Sequence, residues 1–242
     1  MKNTINLCIV AGTHGDEYGF GSLVQEFVDE EMPGQAYMLN ANPLASGLGV
    51  RYVDSDLNRS FDGSGKGNES ELVEQIRDVF NREQFTHVVD LHTSATTHGI
   101  VPILPSQCQG ERADDVIKTN FDIKRIVELL PATPYSLVAA FGQGGIALEC
   151  PRYRYKQNAK QVANGLLNLL KGAAYEPSPR KIYKMTGLIP VDVELPFTPM
   201  EDFEEIPPYV GGLSFVADPA IYKRLGYGHQ GMVVELNRVV RM

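Results

Sequence analysis

Residues 5–10, Ile5-Asn6-Leu7-Cys8-Ile9-Val10, lead through Ala11 into Gly12-Thr13-His14-Gly15-Asp16-Glu17. This stretch decides the fold. A short apolar run ending in a glycine reads as a strand buried on both faces. After it, Phe20, Leu23, Val24, Phe27 and Val28 recur at helical spacing as far as about Glu31. A buried strand therefore passes through a tight polar turn into an amphipathic helix.

The same alternation continues down the chain. Residues 36–41 (AYMLNA) read as a strand ending at Asn42-Pro43. A Gly/Ser-rich loop at 60–70 precedes a helix opening at Ser70-Glu71, with Leu72, Val73, Ile76, Val79 and Phe80 on its apolar stripe. Residues 86–91 and 100–104 read as short strands. Residues 113–130 read as a helix stopped by Pro131, and 135–140 and 145–149 as two further strands. The pattern over 157–171 predicts a helix closed by Lys171-Gly172. Strands alternating with helices predict an α/β layer fold with a mixed, largely parallel sheet.

The texture changes after Gly172. Residues 173–182 contain Pro177 and Pro179 and read as a linker. Beyond it, β-branched runs are broken by Pro and Gly turns. The expected organisation is a first domain over 1–172 and a small β-rich C-terminal module over 183–242.

Composition narrows the class. The 242 residues carry 22 Lys and Arg against 30 Asp and Glu, a net charge of -8. An acidic balance argues against a nucleic-acid partner, which needs a clustered basic surface. No run of about 18 apolar residues is present to span a membrane, and the N-terminus shows no small-residue cleavage site of a secretory leader. Three cysteines, Cys8, Cys108 and Cys150, form neither a metal spacing nor an even disulfide set. They suit a reducing cytoplasm.

Ligands of open α/β sheets bind beyond the carboxyl ends of the strands, and three strand ends here carry unusual polar groups. After the first strand, His14 and Glu17 stand three apart among glycines that let the backbone turn. Imidazole plus carboxylate is a metal ligand pair that needs a third partner; a phosphate-binding turn or a surface histidine is the alternative. His92 follows the THVVDL strand and supplies such a partner, with Asp90 placed to accept its second ring N–H. Glu149 ends the GIALE strand, where a carboxylate is expensive without a task or an ion pair. A fourth group, Arg51 to Arg59, offers two guanidinium forks and Asn58, suited to a carboxylate or equally to a solvated loop.

Taken together, GTHGDEYG at 12–19, NP at 42–43, RYVDSDLNRSF at 51–61, DLHTS at 90–94 and LE at 148–149 resemble the succinylglutamate desuccinylase/aspartoacylase family of zinc hydrolases. The resemblance implies a carboxypeptidase-like three-layer fold with a smaller β-rich C-terminal domain. It implies one Zn2+ per chain held by His14, Glu17 and His92, with Glu149 as general base and acid. By the same resemblance, Arg51 polarises the scissile carbonyl, and Asn58 and Arg59 grip the substrate carboxylate. Tyr222 falls near a family tyrosine. The implied reaction is hydrolysis of a small-molecule N-acyl amino acid to a carboxylic acid and a free amino acid. A zinc carboxypeptidase acting on short peptides, or a non-catalytic binding protein keeping the fold, are the alternatives; self-association into a homo-oligomer stays open. Two departures stand out, the first being that the family tyrosine falls at Ile221 or Tyr222 depending on a one-residue shift. Aspartoacylases carry an arginine shortly before the catalytic glutamate, whereas residues 135–148 contain no Arg or Lys and only Gln143 as a long polar side chain.

Overall fold

Along the first strand, β1 (Leu7–Ala11), Leu7 and Ile9 enter one hydrophobic core and Cys8 and Val10 enter another. Burial on both faces explains the unbroken apolar run, because alternation disappears when helices cover each side of a sheet. A computed structural model describes residues 5–94, 99–119, 123–129, 135–173, 178–195, 204–205, 212–214, 219–224 and 229–242. After β1 come α1 (Tyr18–Glu31), β2 (Ala36–Asn40), α2 (Pro43–Leu48), α3 (Gly67–Glu83), β3 (His87–Ser94), β4 (Val101–Pro105), α4 (Glu111–Thr119), β5 (Arg125–Leu129), α5 (Leu137–Phe141), β6 (Gly145–Pro151) and α6 (Tyr155–Leu170). Then follow β7 (Pro179–Pro190), β8 (Glu204–Glu205), β9 (Gly212–Ser214), α7 (Pro219–Arg224) and β10 (His229–Arg241).

The strands form one mixed sheet in the order β2-β1-β3-β6-β4-β5-β7-β10-β9-β8. β2, β1, β3 and β6 run parallel, β4 is antiparallel to β6, and β4, β5 and β7 are parallel to one another. One face is covered by α1, α4 and α6, whose Phe20, Val24, Ile117 and Leu166 join Leu7, Ile9, Leu91 and Leu148. On the other face, Val73, Ile76 and Phe80 of α3 and Leu137 and Val138 of α5 pack on Cys8, Val10 and Val88. The result is a three-layer α/β fold.

Two stretches differ from the sequence reading. The helix expected over 113–130 ends at Thr119, and 125–129 is the strand β5. Its Ile126, Val127, Glu128 and Leu129 are all buried between β4 and β7. A strand buried on both faces has no alternation, so Ile126-Val127 merely continued the preceding helical stripe. The strand expected at 135–140 is instead the helix α5. Ser136 caps it, its side chain accepting from the Ala139 amide, and Gly142 ends it at φ 85°. An apolar run of five residues carries too few repeats for its period to discriminate.

β7 begins at Pro179. It pairs in parallel with β5, Arg125 opposite Lys181, and antiparallel with β10, so the strands beyond residue 178 continue the same hydrogen-bonded sheet. The fully buried Arg180 pins its start. Its Nη1 donates to the carbonyl of Ile117 (2.6 Å) in the last turn of α4, where a helix leaves carbonyls unpaired and favours a cation, and to that of Ile123 (3.2 Å) just ahead of β5.

Candidate active site

Side-chain alternation puts every chemically unusual residue on one face of the sheet. In β3, Val89 and Leu91 point into the α1/α6 core, so Asp90 and His92 face the opposite way. In β6, Ile146, Leu148 and Cys150 join that same core, which turns Glu149 to the site side. The β3–β6 register pairs His92 with Glu149 directly. β1 delivers the remaining pieces through its exit turn. Gly12 adopts φ 74°, and a Cβ on Gly15 would lie 2.3 Å from the Ala45 carbonyl carbon of α2. Only glycine lets the turn press against α2. The single 3-10 turn Gly15–Glu17 then brings His14 and Glu17 to the same side.

His14, Glu17 and His92 converge. His92 Nδ1 lies 3.1 Å from Glu17 Oε2 and 3.2 Å from His14 Nδ1, and His14 Nδ1 lies 3.5 Å from Glu17 Oε1. One donor atom from each falls within 4.8 Å of the others, and all three side chains are buried. Two imidazoles and a carboxylate at that spacing can hold a metal ion, and the donor set suits a hydrolytic divalent cation with an open position.

The surroundings orient these groups. His92 Nε2 donates to Asp90 Oδ2 at 2.9 Å, and Asp90 Oδ1 accepts from Thr13 Oγ1 at 2.8 Å. That bond fixes the tautomer that leaves the Nδ1 lone pair facing the cluster. His14 Nε2 faces Asp56 Oδ1 at 3.3 Å, and the Thr93 amide donates to Glu17 Oε2 at 3.1 Å. Burial works against the charged form of Asp56, yet His14, Arg59 and Arg51 hold its carboxyl far below the usual range. Burial pushes Glu149 up, opposed by the charge of His92 and reinforced by that of Glu17.

Arg51 leans over the cluster, its Nη1 3.3 Å from Glu17 Oε1 and its Nη2 3.0 Å from His14 Nε2. Its backbone carbonyl accepts from the Gly15 amide at 2.9 Å, which joins the two loops. What shapes this second loop is Glu69, a fully buried carboxylate in the first turn of α3. It accepts from the amides of Val53 (2.8 Å), Asp54 (2.9 Å) and Ser55 (3.1 Å) and from Asn42 Nδ2 (2.9 Å). Further along, Asp56 Oδ1 caps the 3-10 turn Leu57–Arg59 by accepting from the Asn58 amide. Asp56 thus touches both a candidate ligand and the turn that carries Asn58 and Arg59. The Asn58 Oδ1 accepts from the Leu137 amide at 3.1 Å, leaving Nδ2 as its donor toward the cleft. Arg59 lies over the Tyr135 ring at 5.1 Å. The sequence suggests Asp54 and Asp56 as partners that hold Arg51 and Arg59 in place but does not single out Asp56, and it gives Glu69, one acid among several in Gly67-Asn68-Glu69-Ser70-Glu71, no role.

A cleft of about 150 Å³ opens beside the cluster, lined by His14, Arg51, Asn58, Arg59, His92 and Glu149. Its far wall is apolar, built from Ile103, Pro105, Leu129, Met185, Leu188 and Met232. Other residues fall elsewhere. Gln143 is exposed and lines a different groove, with Arg112. Arg152 reaches Asp16, Glu17 and the Thr93 hydroxyl. Tyr222 belongs to α7, its side chain outside the described residues, as is His98. Cys8, Cys108 and Cys150 are buried free thiols.

Comparison with known proteins places this geometry. The sequence model of the succinylglutamate desuccinylase/aspartoacylase catalytic domain matches residues 3–123. A probable aspartoacylase from Trichodesmium erythraeum is 33% identical over 120 residues, covering 43% of this chain and 40% of that protein. The match thus spans about two fifths of the curated relative's length. In three dimensions, a succinylglutamate desuccinylase from Vibrio parahaemolyticus aligns over 100% of this chain and 87% of its own, with a TM-score of 0.77 at 15% identity. A metallo-carboxypeptidase from Burkholderia cenocepacia aligns over 71% of this chain and 58% of its own, with a TM-score of 0.55 at 12% identity. The fold is the carboxypeptidase-like α/β fold.

Proposed function

The chain belongs to the succinylglutamate desuccinylase/aspartoacylase family, and from that membership we propose that it is a zinc-dependent deacylase. Its reaction is hydrolysis of the amide bond of an N-acyl amino acid to a carboxylic acid and a free amino acid. The observation that carries this reading is the convergence of His14, Glu17 and His92 at the mouth of a cleft that also holds Glu149 and an arginine fork.

His14, Glu17 and His92 are the residues that would hold the metal. A bound zinc ion would act as Lewis acid and lower the pKa of water toward neutrality. Glu149, recessed beside His92 with its pKa raised by burial, takes a proton from the attacking water at its carboxylate and returns it to the leaving nitrogen. Arg51 lies against the ligand cluster and donates to the oxygen that develops charge on the scissile carbonyl. Asn58 Nδ2 and the Arg59 fork grip the substrate's α-carboxylate. Tyr222 is proposed as a further substrate contact. Residues 1–172 supply the chemistry, and 183–242 shape the cleft. Three free, buried thiols suit a cytoplasmic setting, and no helix among the described residues is long and apolar enough to cross a membrane.

Elemental analysis and amino-acid release test the reading together. The purified protein is expected to carry about one zinc per chain, lost in His14→Ala and in His92→Ala. Glu149→Gln is expected to keep the metal and lose turnover. Full metal occupancy in both alanine variants would overturn the ligand assignment, and undiminished turnover in Glu149→Gln the base. Assaying short peptides beside N-acyl amino acids separates a deacylase from a carboxypeptidase.

A further inference from the structure

We propose that the cleft is built for a substrate with one carboxylate and one apolar group, and that it discriminates against a second carboxylate. The proposal rests on the deacylase reading and names the substrate class of that site.

The argument begins with the cations. Arg51 and Arg59 are the only Lys or Arg among the described residues that line the cleft. Arg51 is engaged with Glu17 and packs on His14, at the metal end. Arg59 lies 5.1 Å over the Tyr135 ring with its Nη1 donating to the Asn58 carbonyl at 2.9 Å, and it is the lining cation away from the ligand cluster that can take a carboxylate. The remaining candidates are occupied or distant. Arg152 reaches back to Asp16 and Glu17, and Arg238 forms a two-pronged pair with Glu128 at 2.6 and 3.2 Å. Outside the described residues the sequence holds a single Lys or Arg, Lys2.

Much of the remaining lining is hydrocarbon and thioether. Ile103 and Pro105 come from β4, Leu129 from β5, Met185 and Leu188 from β7, and Met232 from β10. β7 and β10 are hydrogen-bonded neighbours with Met232 opposite Leu188, so these last side chains belong to one surface. Among the described residues, a carboxylate pressed on these side chains would lose its water and meet no cation, which is costly. A hydrocarbon group would instead remove apolar surface from water on both sides. The whole cleft, about 150 Å³ from the ligand cluster to this apolar lining, suits a small substrate. The apolar group could sit on the amino acid or on the acyl moiety; the wall's chemistry is the same for either.

The test is a series of substrates on the zinc-loaded wild-type protein. N-acetyl-L-phenylalanine and N-acetyl-L-leucine carry the apolar group on the amino acid, and N-hexanoylglycine carries it on the acyl side. N-acetyl-L-aspartate carries two carboxylates and N-succinyl-L-glutamate three. At least one apolar arm is expected to exceed both acidic substrates about tenfold or more in kcat/KM, and the faster arm identifies which end meets the wall. Acidic substrates equal to or better than both arms would overturn the proposal. Calorimetric binding of the same compounds to Glu149→Gln gives a ranking independent of turnover. Apolar compounds that bind tighter without being hydrolysed by wild type would sink the deacylase reading and keep this one; tighter acidic binding, or no binding by any compound, would sink this one. Met185→Arg, or Leu188→Arg should the first fail to fold, is expected to shift the acidic-to-apolar ratio at least tenfold toward acidic. An unchanged ratio in a folded variant counts against the wall.

Discussion

Asp90 and His92 stand two residues apart on one face of β3, and the Asp90 carboxylate holds the His92 imidazole by its Nε2 at 2.9 Å. A strand alternates its side chains, so this spacing is the shortest that lets one residue aim another without leaving the strand. Asp90→Asn keeps the shape and weakens the grip on the ring. Metal affinity is expected to fall about 10–100-fold, read by competition with a chromogenic chelator. An affinity equal to wild type would show that the ring needs no such guide.

Arg59 combines a planar fork with stacking on Tyr135. Lysine keeps the charge and loses both. Losing one charge-assisted hydrogen bond of about 1.5–3 kcal/mol is expected to raise KM roughly 10–100-fold in Arg59→Lys, with kcat changed far less. Steady-state kinetics on the best substrate decides it; a fall in kcat at constant KM would move Arg59 from binding to chemistry.

Glu69 accepts three backbone amides and the Asn42 amide. In Glu69→Gln, one acceptor oxygen becomes a donor facing N–H groups. The expected loss is about 2–4 kcal/mol of unfolding free energy, visible as a lower urea midpoint. Activity is expected to fall as well, because the Val53–Ser55 backbone positions Arg51.

The same residue sets a pH dependence. Burial opposes the Glu69 charge, but the amides of Val53, Asp54 and Ser55 and the Asn42 side chain outweigh it and lower its pKa. A carboxyl depressed in the folded state stabilises fully above its unfolded value of about 4.3 and loses that contribution as pH falls through the folded value. The stability gap between wild type and Glu69→Gln is therefore expected to be constant from about pH 6 upward and to narrow below about pH 4. A gap that widens in acid would contradict the hydrogen-bond account.

At Gly15, an added Cβ would meet the Ala45 carbonyl carbon at 2.3 Å and the Ser46 nitrogen at 2.5 Å. Neither backbone atom can swing aside as a side chain could. Gly15→Ala is expected to cost about 1–3 kcal/mol, lowering Tm by about 2–10 °C. It should also weaken metal binding by displacing His14. Calorimetry with and without added zinc separates the two effects.

How much of this was legible in the sequence follows from what kind of signal each feature leaves. His92 and Glu149 interrupt apolar strands, where a polar group is costly and therefore conspicuous, and His14 and Glu17 stand in the glycine-bracketed turn that leaves one. Their convergence follows from parallel strands presenting the same ends to one side. Glu69 and Asp56 left no such mark, since an acid in a polar loop or a first helical turn looks like a surface residue until the backbone wraps it. β5 was hidden by a different degeneracy: burial on both faces erases the period that separates strand from helix. α5 was hidden by its brevity.

One feature of the sheet reaches beyond this molecule. Because β7 bonds to β5 on one side and β10 on the other, the hydrocarbon wall is contributed largely by residues that follow the last candidate ligand, His92, by dozens to well over a hundred positions. Substitutions at Met185, Leu188 or Met232 replace none of the candidate ligands and none of Glu149, Arg51, Asn58 and Arg59. Such a layout lets a lineage exchange one substrate for another by drift at a few partly exposed strand positions while the chemistry stays under constant selection. Descendants that share their ligands would then differ most where their diets differ.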